Sequence, residues 1–539
     1  MQSSAVTVNG GKRGLKRPMP TGENIDVPLS AKIIRSVMFG ALRYVFLVPI
    51  PFVMTPLILH RLGATGYGTW AVFLAINSMT SLADLGLVGT LSKFVAEYYA
   101  HRDFAALNRL LNSGLAIFLI LAATIGIVIG AGAPLLIRWL LKGSSAPSAE
   151  LVFLLRCFIA LIVSNILILL FSSITSGMQR LDLTYVMSAA NVLMSAAIGA
   201  FFLLHGWGIR GLVYGYVLAA LVTACGYVVI VRRLLPEMIW SPLRFDVAEA
   251  RKMIGFSLRL YTIQAAVAIH NQIEKIFLAV MIGVAPVGWF DIASDVALKI
   301  RSVIGLVLGP VLPAASELSA LGDKHRTQEL YYRTHKYLAL FGVPVVFSAA
   351  AFSTRFIELW LGPSMRVIAF PLALLVAVNF LNLTSGPAFL IFAGSGYLKP
   401  AIQSSLLGIV LDVVLSLGLI YRFGFAGAAL GTSVSLLLAA VFLIWKFHKQ
   451  SGYPFGRLLR ESYSKPVVCA LVAMSTLLAA HSTRNLSWYG LIAMGLLFGA
   501  IYSGLILLSH FFDESDWSRI ESLLPAARHA RKIGWTVGD

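Results

Sequence analysis

Long apolar runs recur along the chain, each closed by a short polar or glycine-containing stretch. A helix that crosses a bilayer needs ~20 apolar residues. That length places spans near 36–60, 68–100, 112–141, 150–176, 183–205, 209–233, 255–283, 286–318, 333–352, 365–393, 398–421, 425–447, 465–481 and 487–511. Lys and Arg alternate with them. Of the 43, 29 lie in segments assigned to the cytosol and eight in the opposite loops and flanks, leaving six inside spans. Basic residues concentrate on the cytosolic side of a membrane protein. The pattern therefore predicts an all-α integral membrane protein of about fourteen helices with both termini cytosolic. Residues 1–35 read as a basic cytosolic tail without a signal-peptide pattern, and 512–539 as a second cytosolic tail.

Two glycine patterns repeat. Gly63-Ala-Thr-Gly-Tyr-Gly68-Thr-Trp70 returns 220 residues later as Gly283-Val-Ala-Pro-Val-Gly288-Trp-Phe290. Trp207-Gly208-Ile-Arg-Gly211-Leu-Val-Tyr-Gly215 returns after 216 as Phe423-Gly424-Phe-Ala-Gly427-Ala-Ala-Leu-Gly431. Nearly equal offsets predict a duplicated unit: an N-lobe over 36–233 and a C-lobe over 255–447, with six spans each. An even number per lobe relates the halves by an axis along the membrane normal. The two C-terminal helices, 465–511, stand outside the duplication. The repeated glycines suit tight turns and close helix contacts better than cargo binding. The linker 234–254, with Arg244, Arg251 and Lys252, is expected to rest on the anionic inner leaflet.

Composition narrows the class. The chain is 58% hydrophobic and 12% charged, with a mean hydropathy of +0.83. A soluble domain carries about 25% charged residues. The net charge of +19 does not indicate nucleic acid, because the cations sit mostly in short loops and tails. Cys157, Cys225 and Cys469 fall inside apolar runs, so neither a disulfide framework nor a metal or cofactor site is expected. No extramembrane segment is long enough for a folded catalytic domain, which argues against an enzyme.

Leu62-Gly63-Ala-Thr-Gly-Tyr67-Gly68, Asp84-Leu85-Gly86-Leu87, Lys93-Phe-Val-Ala-Glu97, Gly177-Met-Gln179-Arg180 and Val287-Gly288-Trp-Phe-Asp-Ile-Ala293 together resemble the polysaccharide-export flippases. These belong to the multidrug/oligosaccharidyl-lipid/polysaccharide exporter superfamily. The resemblance runs from about residue 33 to 447, and the last two spans resemble those of fourteen-helix members. It implies two six-helix lobes in a V around a central cavity, in a bacterial inner membrane. The implied cargo is a polyprenyl-diphosphate-linked glycan, with membrane lipids and other glycan-synthesis membrane proteins as partners. No covalent chemistry, and hence no catalytic residue, is implied.

Charges inside the bilayer cost ~2.5–3.5 kcal/mol each on insertion scales and so require a partner or a cavity. The six cations are Arg43, Lys93, Arg156, Lys275, Lys299 and Arg301. All are candidates for diphosphate or cavity contact, because guanidinium and ammonium groups suit phosphate oxygens. Arg43 and Lys93 also lie near enough to the cytosolic interface to snorkel. Asp291, Asp295 and Lys299 are spaced by four, placing them on one helical face with internal pairing possible. Gly309-Pro310 and Pro313 beyond them suggest a hinge. Glu274 and Lys275 are adjacent and point about 100° apart, so one is expected to face the cavity and the other to pair laterally. Asp84, Glu274, Asp291 and Asp295 are the candidate coupling or cavity acids. His270 is either a relay or a core histidine, and Asp412 either a structural partner or a cavity residue. Three rivals compete with a flippase, one of them a non-transporting membrane scaffold, for which the mid-membrane charges are difficult to explain. A multidrug or cation antiporter of the same fold would favour acidic and aromatic cavity residues. A glycan polymerase or ligase would need a sizeable outer loop, and the outer loops are short.

Overall fold

The computed structural model describes residues 49–78, 86–140, 148–236, 238–241, 244–255, 257, 272–480, 486–514 and 516. Every regular element among them is helical. Eleven of the described spans are long and apolar enough to cross a membrane. The other three predicted spans, 36–60, 68–100 and 255–283, run through residues outside the described set.

The N-lobe comprises α1 (Pro49–Ser78), α2 (Leu87–Ala100), α3 (Phe104–Leu140), α4 (Ser148–Gly177), α5 (Leu181–Leu204) and α6 (Gly208–Leu234). The C-lobe runs through α7 (Ile273–Met281), α8 (Val284–Ile304), α9 (Val311–Leu321), α10 (Lys324–Leu361), α11 (Ala369–Leu383), α12 (Gly386–Gly394), α13 (Lys399–Phe423) and α14 (Phe425–Ser451). The final pair is α15 (Ser464–Ala480) and α16 (Trp488–Leu508). Two predicted spans are composite. A 3-10 turn at Gly305–Leu308 separates α8 from α9, just ahead of Gly309-Pro310. The 363–394 span joins a 3-10 turn, α11 and α12.

Glycine sets the two reversals of the first repeat. Gly63 breaks α1 into two arms with φ 69°, and Gly283 starts α8 from φ 127°. Residues with a Cβ rarely adopt either conformation. Proline sets two interhelical contacts. Pro56 has no amide for the Phe52 carbonyl, and Trp360 Nε1 of the C-lobe donates to that oxygen at 2.8 Å. Pro344 does the same to the Leu340 carbonyl, which accepts from Tyr502 Oη of α16 at 3.0 Å. A helix defect is thus closed by an aromatic donor from elsewhere, because a bare carbonyl is poorly tolerated in hydrocarbon.

The main hydrophobic core fills the N-lobe and continues across α8, α11 and the start of α14. A second core joins α10 to α15 and α16 through Ala339, Val343, Phe352, Ala473, Leu477, Phe498 and Tyr502. The linker is strapped to the N-lobe. Asn112 holds Ile239 O and Ser241 N at 2.8 Å each, Ser113 Oγ accepts from Asp246 N at 2.9 Å, and Lys252 Nζ donates to Tyr98 Oη at 2.8 Å. Its described partner is thus protein: side chains at the start of α3 and the end of α2 capture it.

Candidate functional site

The lobes meet where the two copies of the first repeat pack on each other. Gly68 of α1 faces the start of α8, where a Cβ would lie 1.9 Å from Val284 O and 2.5 Å from Val284 C. Gly288 faces back, where a Cβ would lie 2.9 Å from Tyr67 Cδ1 and 3.0 Å from Gly68 N. Only glycine at both positions permits this approach. The second repeat serves contacts within each lobe: Gly215 packs on Gly199, and Gly431 on Ser416.

Directly beside this contact, Asp291 of α8 accepts from Lys275 Nζ at 2.6 Å and from Tyr67 Oη at 3.3 Å. Both ionic side chains are about nine-tenths buried, at 11% exposure each. Tyr67 belongs to the N-lobe and Lys275 to α7, so one carboxylate ties three helices across the lobe boundary. Such a pair is secured by geometry and by its extra hydrogen bond rather than by Coulomb attraction alone.

One turn further along α8, Lys299 pairs with Asp295, as the four-residue spacing allows. Arg301 differs. Its Nη1 reaches Asn379 Oδ1 of α11 at 3.3 Å, and Asn379 is itself held by donating to Leu375 O at 2.8 Å. Among the described residues Arg301 has no carboxylate partner. Of the three cations around α8, two pair with carboxylates and the half-buried Arg301 guanidinium pairs with none among the described residues.

A separate polar cluster lies between α7, α13 and α14. Glu274 and Asp412 are 1% and 0% exposed and lie close enough to interact electrostatically. Thr432 Oγ1 donates to Glu274 Oε1 at 3.0 Å, and Ser435 Oγ to Asp412 Oδ1 at 2.9 Å. Two carboxyl groups buried near one another in an apolar helix interface need a proton or a cation to offset their charge. The hydroxyl oxygen of Ser416, one turn along α13 from Asp412, is buried with no hydrogen-bond partner among the described residues.

Adjacent Glu274 and Lys275 take different partners, but both are largely buried against neighbouring helices, where the sequence predicts one facing a cavity and the other paired laterally. Lys93 is exposed on α2, with Nζ 4.9 Å from the Phe94 ring centre, and is not among the α8 residues. Arg156 falls within α4, but its side chain lies outside the described set, as do Arg43, Asp84 and His270. Tyr67, Trp360, Asn379 and Thr432 were not selected from sequence. Neutral side chains in apolar runs carry no charge signal, although Tyr67 sits inside the repeated motif.

Residues 33–319 match a family model described as polysaccharide biosynthesis protein. A putative O-antigen transporter of Shigella flexneri is 19% identical over 393 residues, covering 72% of this chain and 90% of that protein. An uncharacterized membrane protein of Methanocaldococcus jannaschii is 21% identical over 493 residues, covering 89% and 95%. Among solved structures, a lipid II flippase in an inward closed conformation superposes with a TM-score of 0.70 at 14% identity, covering 88% of this chain and 98% of that one. An inward-facing multidrug transporter gives 0.58 at 18% identity, covering 76% and 98%. These likenesses establish the fold: an all-helical bundle arranged as in those solved transporters.

Proposed function

The chain belongs to the polysaccharide biosynthesis family, and from that membership we propose that it is a flippase moving a polyprenyl-diphosphate-linked oligosaccharide across a bacterial inner membrane. The observation that carries this reading is Arg301, a half-buried guanidinium on the lobe-facing helix α8 held by a neutral amide. A diphosphate supplies the charge it lacks, and a guanidinium offers forked donors to phosphate oxygens. The names of the putative O-antigen transporter it resembles in sequence and of the lipid II flippase it resembles in fold support the same reading.

The cycle needs two states of different affinity for the cargo. In the state described, α1 and α8 are sealed at the end that carries the Gly63 and Gly283 turns, assigned to the outside. Cargo enters from the cytosolic leaflet, its headgroup reaches Arg301, and its lipid tail stays in the bilayer. Parting of the glycine contact and of the Tyr67–Asp291 bond then opens the lobe boundary outward. Glu274 and Asp412 supply the coupling site, exchanging a proton or cation as the C-lobe helices shift. No covalent step is involved. A multidrug antiporter reading rests on that carboxyl pair alone and leaves Arg301 without a role.

The test is transfer of a labelled lipid-diphosphate oligosaccharide across proteoliposomes holding the full chain. Arg301→Ala is expected to slow transfer by ~10-fold or more, since a hydrogen bond to a charged group contributes ~1.5–3 kcal/mol. Arg301→Lys should fall between the two, having the charge without the fork. Unchanged transfer in Arg301→Ala, or efflux of cationic drugs in place of glycolipid transfer, sinks the proposal.

A further inference from the structure

A cavity of about 1100 Å³ opens where α10 begins, ahead of α15 and beyond the end of α16. None of its lining residues belongs to the α8 cluster or to the Glu274–Asp412 pair. Its walls hold the cations Arg333, Lys336, Arg457, Arg460 and Lys465. The carboxylates nearby are already committed. Glu329 lies 2.5 Å from Arg333 Nη2, Glu461 lies 2.9 Å from Arg457 Nε, and Lys336 Nζ sits between Asp513 and Asp516 at 3.3 and 2.5 Å.

Two cations remain without a carboxylate partner among the described residues. One is Arg460. The other is Lys465, whose Nζ donates to His510 O at 2.9 Å and so has two N–H donors left. On an ordinary α-helix, residues five apart stand roughly 140° apart. Here the backbone opens into a π-turn over Leu459–Tyr463, which contains Arg460 and ends two residues before Lys465. The i→i+5 pattern of a π-turn reduces that angle, and such turns are frequent at functional sites. Both side chains consequently line one cavity.

Position identifies the ligand. Lys465 is in the first turn of α15, and Phe511 follows α16, so the cavity sits at the membrane–water boundary on the side assigned to the cytosol. Tyr332 and Phe511 in its wall suit that boundary. From Lys465, Val468 and Val472 continue along the same face of α15, at i+3 and i+7, and are 57% and 45% exposed. An apolar track thus leaves the charged cavity and runs into the bilayer, which a soluble anion would not use. We propose that this cavity binds the phosphate headgroup of an anionic phospholipid of the cytosolic leaflet. Arg460 and Lys465 hold the phosphate, and the acyl chains lie along α15.

The experiment is binding of dioctanoyl phosphatidylglycerol to the purified full chain in detergent, with dioctanoyl phosphatidylcholine and inorganic phosphate as separate probes. Phosphatidylglycerol is expected to bind saturably and at least tenfold more tightly than either. The double substitution Arg460→Gln with Lys465→Gln should weaken it by roughly 10- to 30-fold, given ~1 kcal/mol per basic residue at a membrane surface. Arg460→Lys with Lys465→Arg keeps both charges and should retain binding within about threefold. Equal binding by the wild type and the double Gln variant overturns the site. Phosphate binding as tight as phosphatidylglycerol, lost in the same variant, overturns the lipid assignment in favour of a soluble phosphate ligand.

Discussion

Alanine at Gly68 is the smallest change that should force the lobes apart. Its Cβ would lie 1.9 Å from Val284 O, 2.5 Å from Val284 C and 3.0 Å from Ala285 N, all backbone atoms that cannot rotate away. Ordinary carbon contacts lie at about 3.5–4.0 Å, so α1 and α8 must separate by roughly 1.5 Å. Overpacking of this kind costs about 1–3 kcal/mol. The cost falls on the sealed state alone, so the ratio of sealed to open molecules should fall by about 5- to 150-fold. The assay is labelling by a membrane-impermeant maleimide from outside, using Asp295→Cys as reporter in a chain whose Cys157, Cys225 and Cys469 are replaced by serine. Asp295 is a suitable reporter position because its side chain is 45% exposed. Labelling should accelerate at least fivefold with Gly68→Ala. Gly288→Ala should act less strongly, because its nearest backbone contact, Gly68 N, lies at 3.0 Å where that of Gly68 lies at 1.9 Å. Gly418→Ala meets nothing within 4 Å and is the control. A Gly68→Ala rate matching that control would refute the reasoning.

Further expectations concern the groups around that seal. Lys275→Ala leaves Asp291 buried with Tyr67 alone and should destabilise the protein by about 3–5 kcal/mol, with much of the loss recovered by adding Asp291→Asn; thermal melting in detergent measures both. Trp360→Phe strips the donor from Phe52 O and should cost about 1–3 kcal/mol. In a Pro56→Ala background the restored amide can take that carbonyl, so the same substitution should then be nearly neutral, a difference that a double-mutant cycle reads directly. Glu274→Gln should uncouple transport from its driving ion while leaving glycolipid binding within about twofold, since the pair lies outside the Arg301 site; transport with and without an imposed proton or sodium gradient distinguishes the cases.

What the sequence made legible is what repeats locally. Apolar length located the eleven spans found among the described residues, and the glycine spacing located both reversals, because each depends only on neighbours in the chain. The Asp295–Lys299 pair was legible for the same reason, being one turn of one helix. Lys275 was not. Its charge was visible, but its neutralisation by Asp291 depends on α7 and α8 lying side by side, and the Tyr67 bond spans 224 residues. Arg301 and Lys275 looked alike in sequence, and only their partners separate them. Asp412 could be read two ways until α7 brought Glu274 against it. The attachment of the linker was hidden too, because Asn112 and Ser113 are unremarkable polar residues until a loop lies across them.

The glycine contact between α1 and α8 has a consequence for ancestry. A segment that packs against its own repeat makes the contact that two identical chains make across a two-fold axis. A single six-helix ancestor pairing with a copy of itself would have presented both sides of this closure before any duplication joined them. Fusion then released the rest of each copy from symmetry. The positions 220 residues before Lys275, Asp291 and Asp295 are Thr55, Ala71 and Ala75, none of them charged. A homodimer would have had to carry every such charge twice around its axis; one continuous chain can place it on a single side.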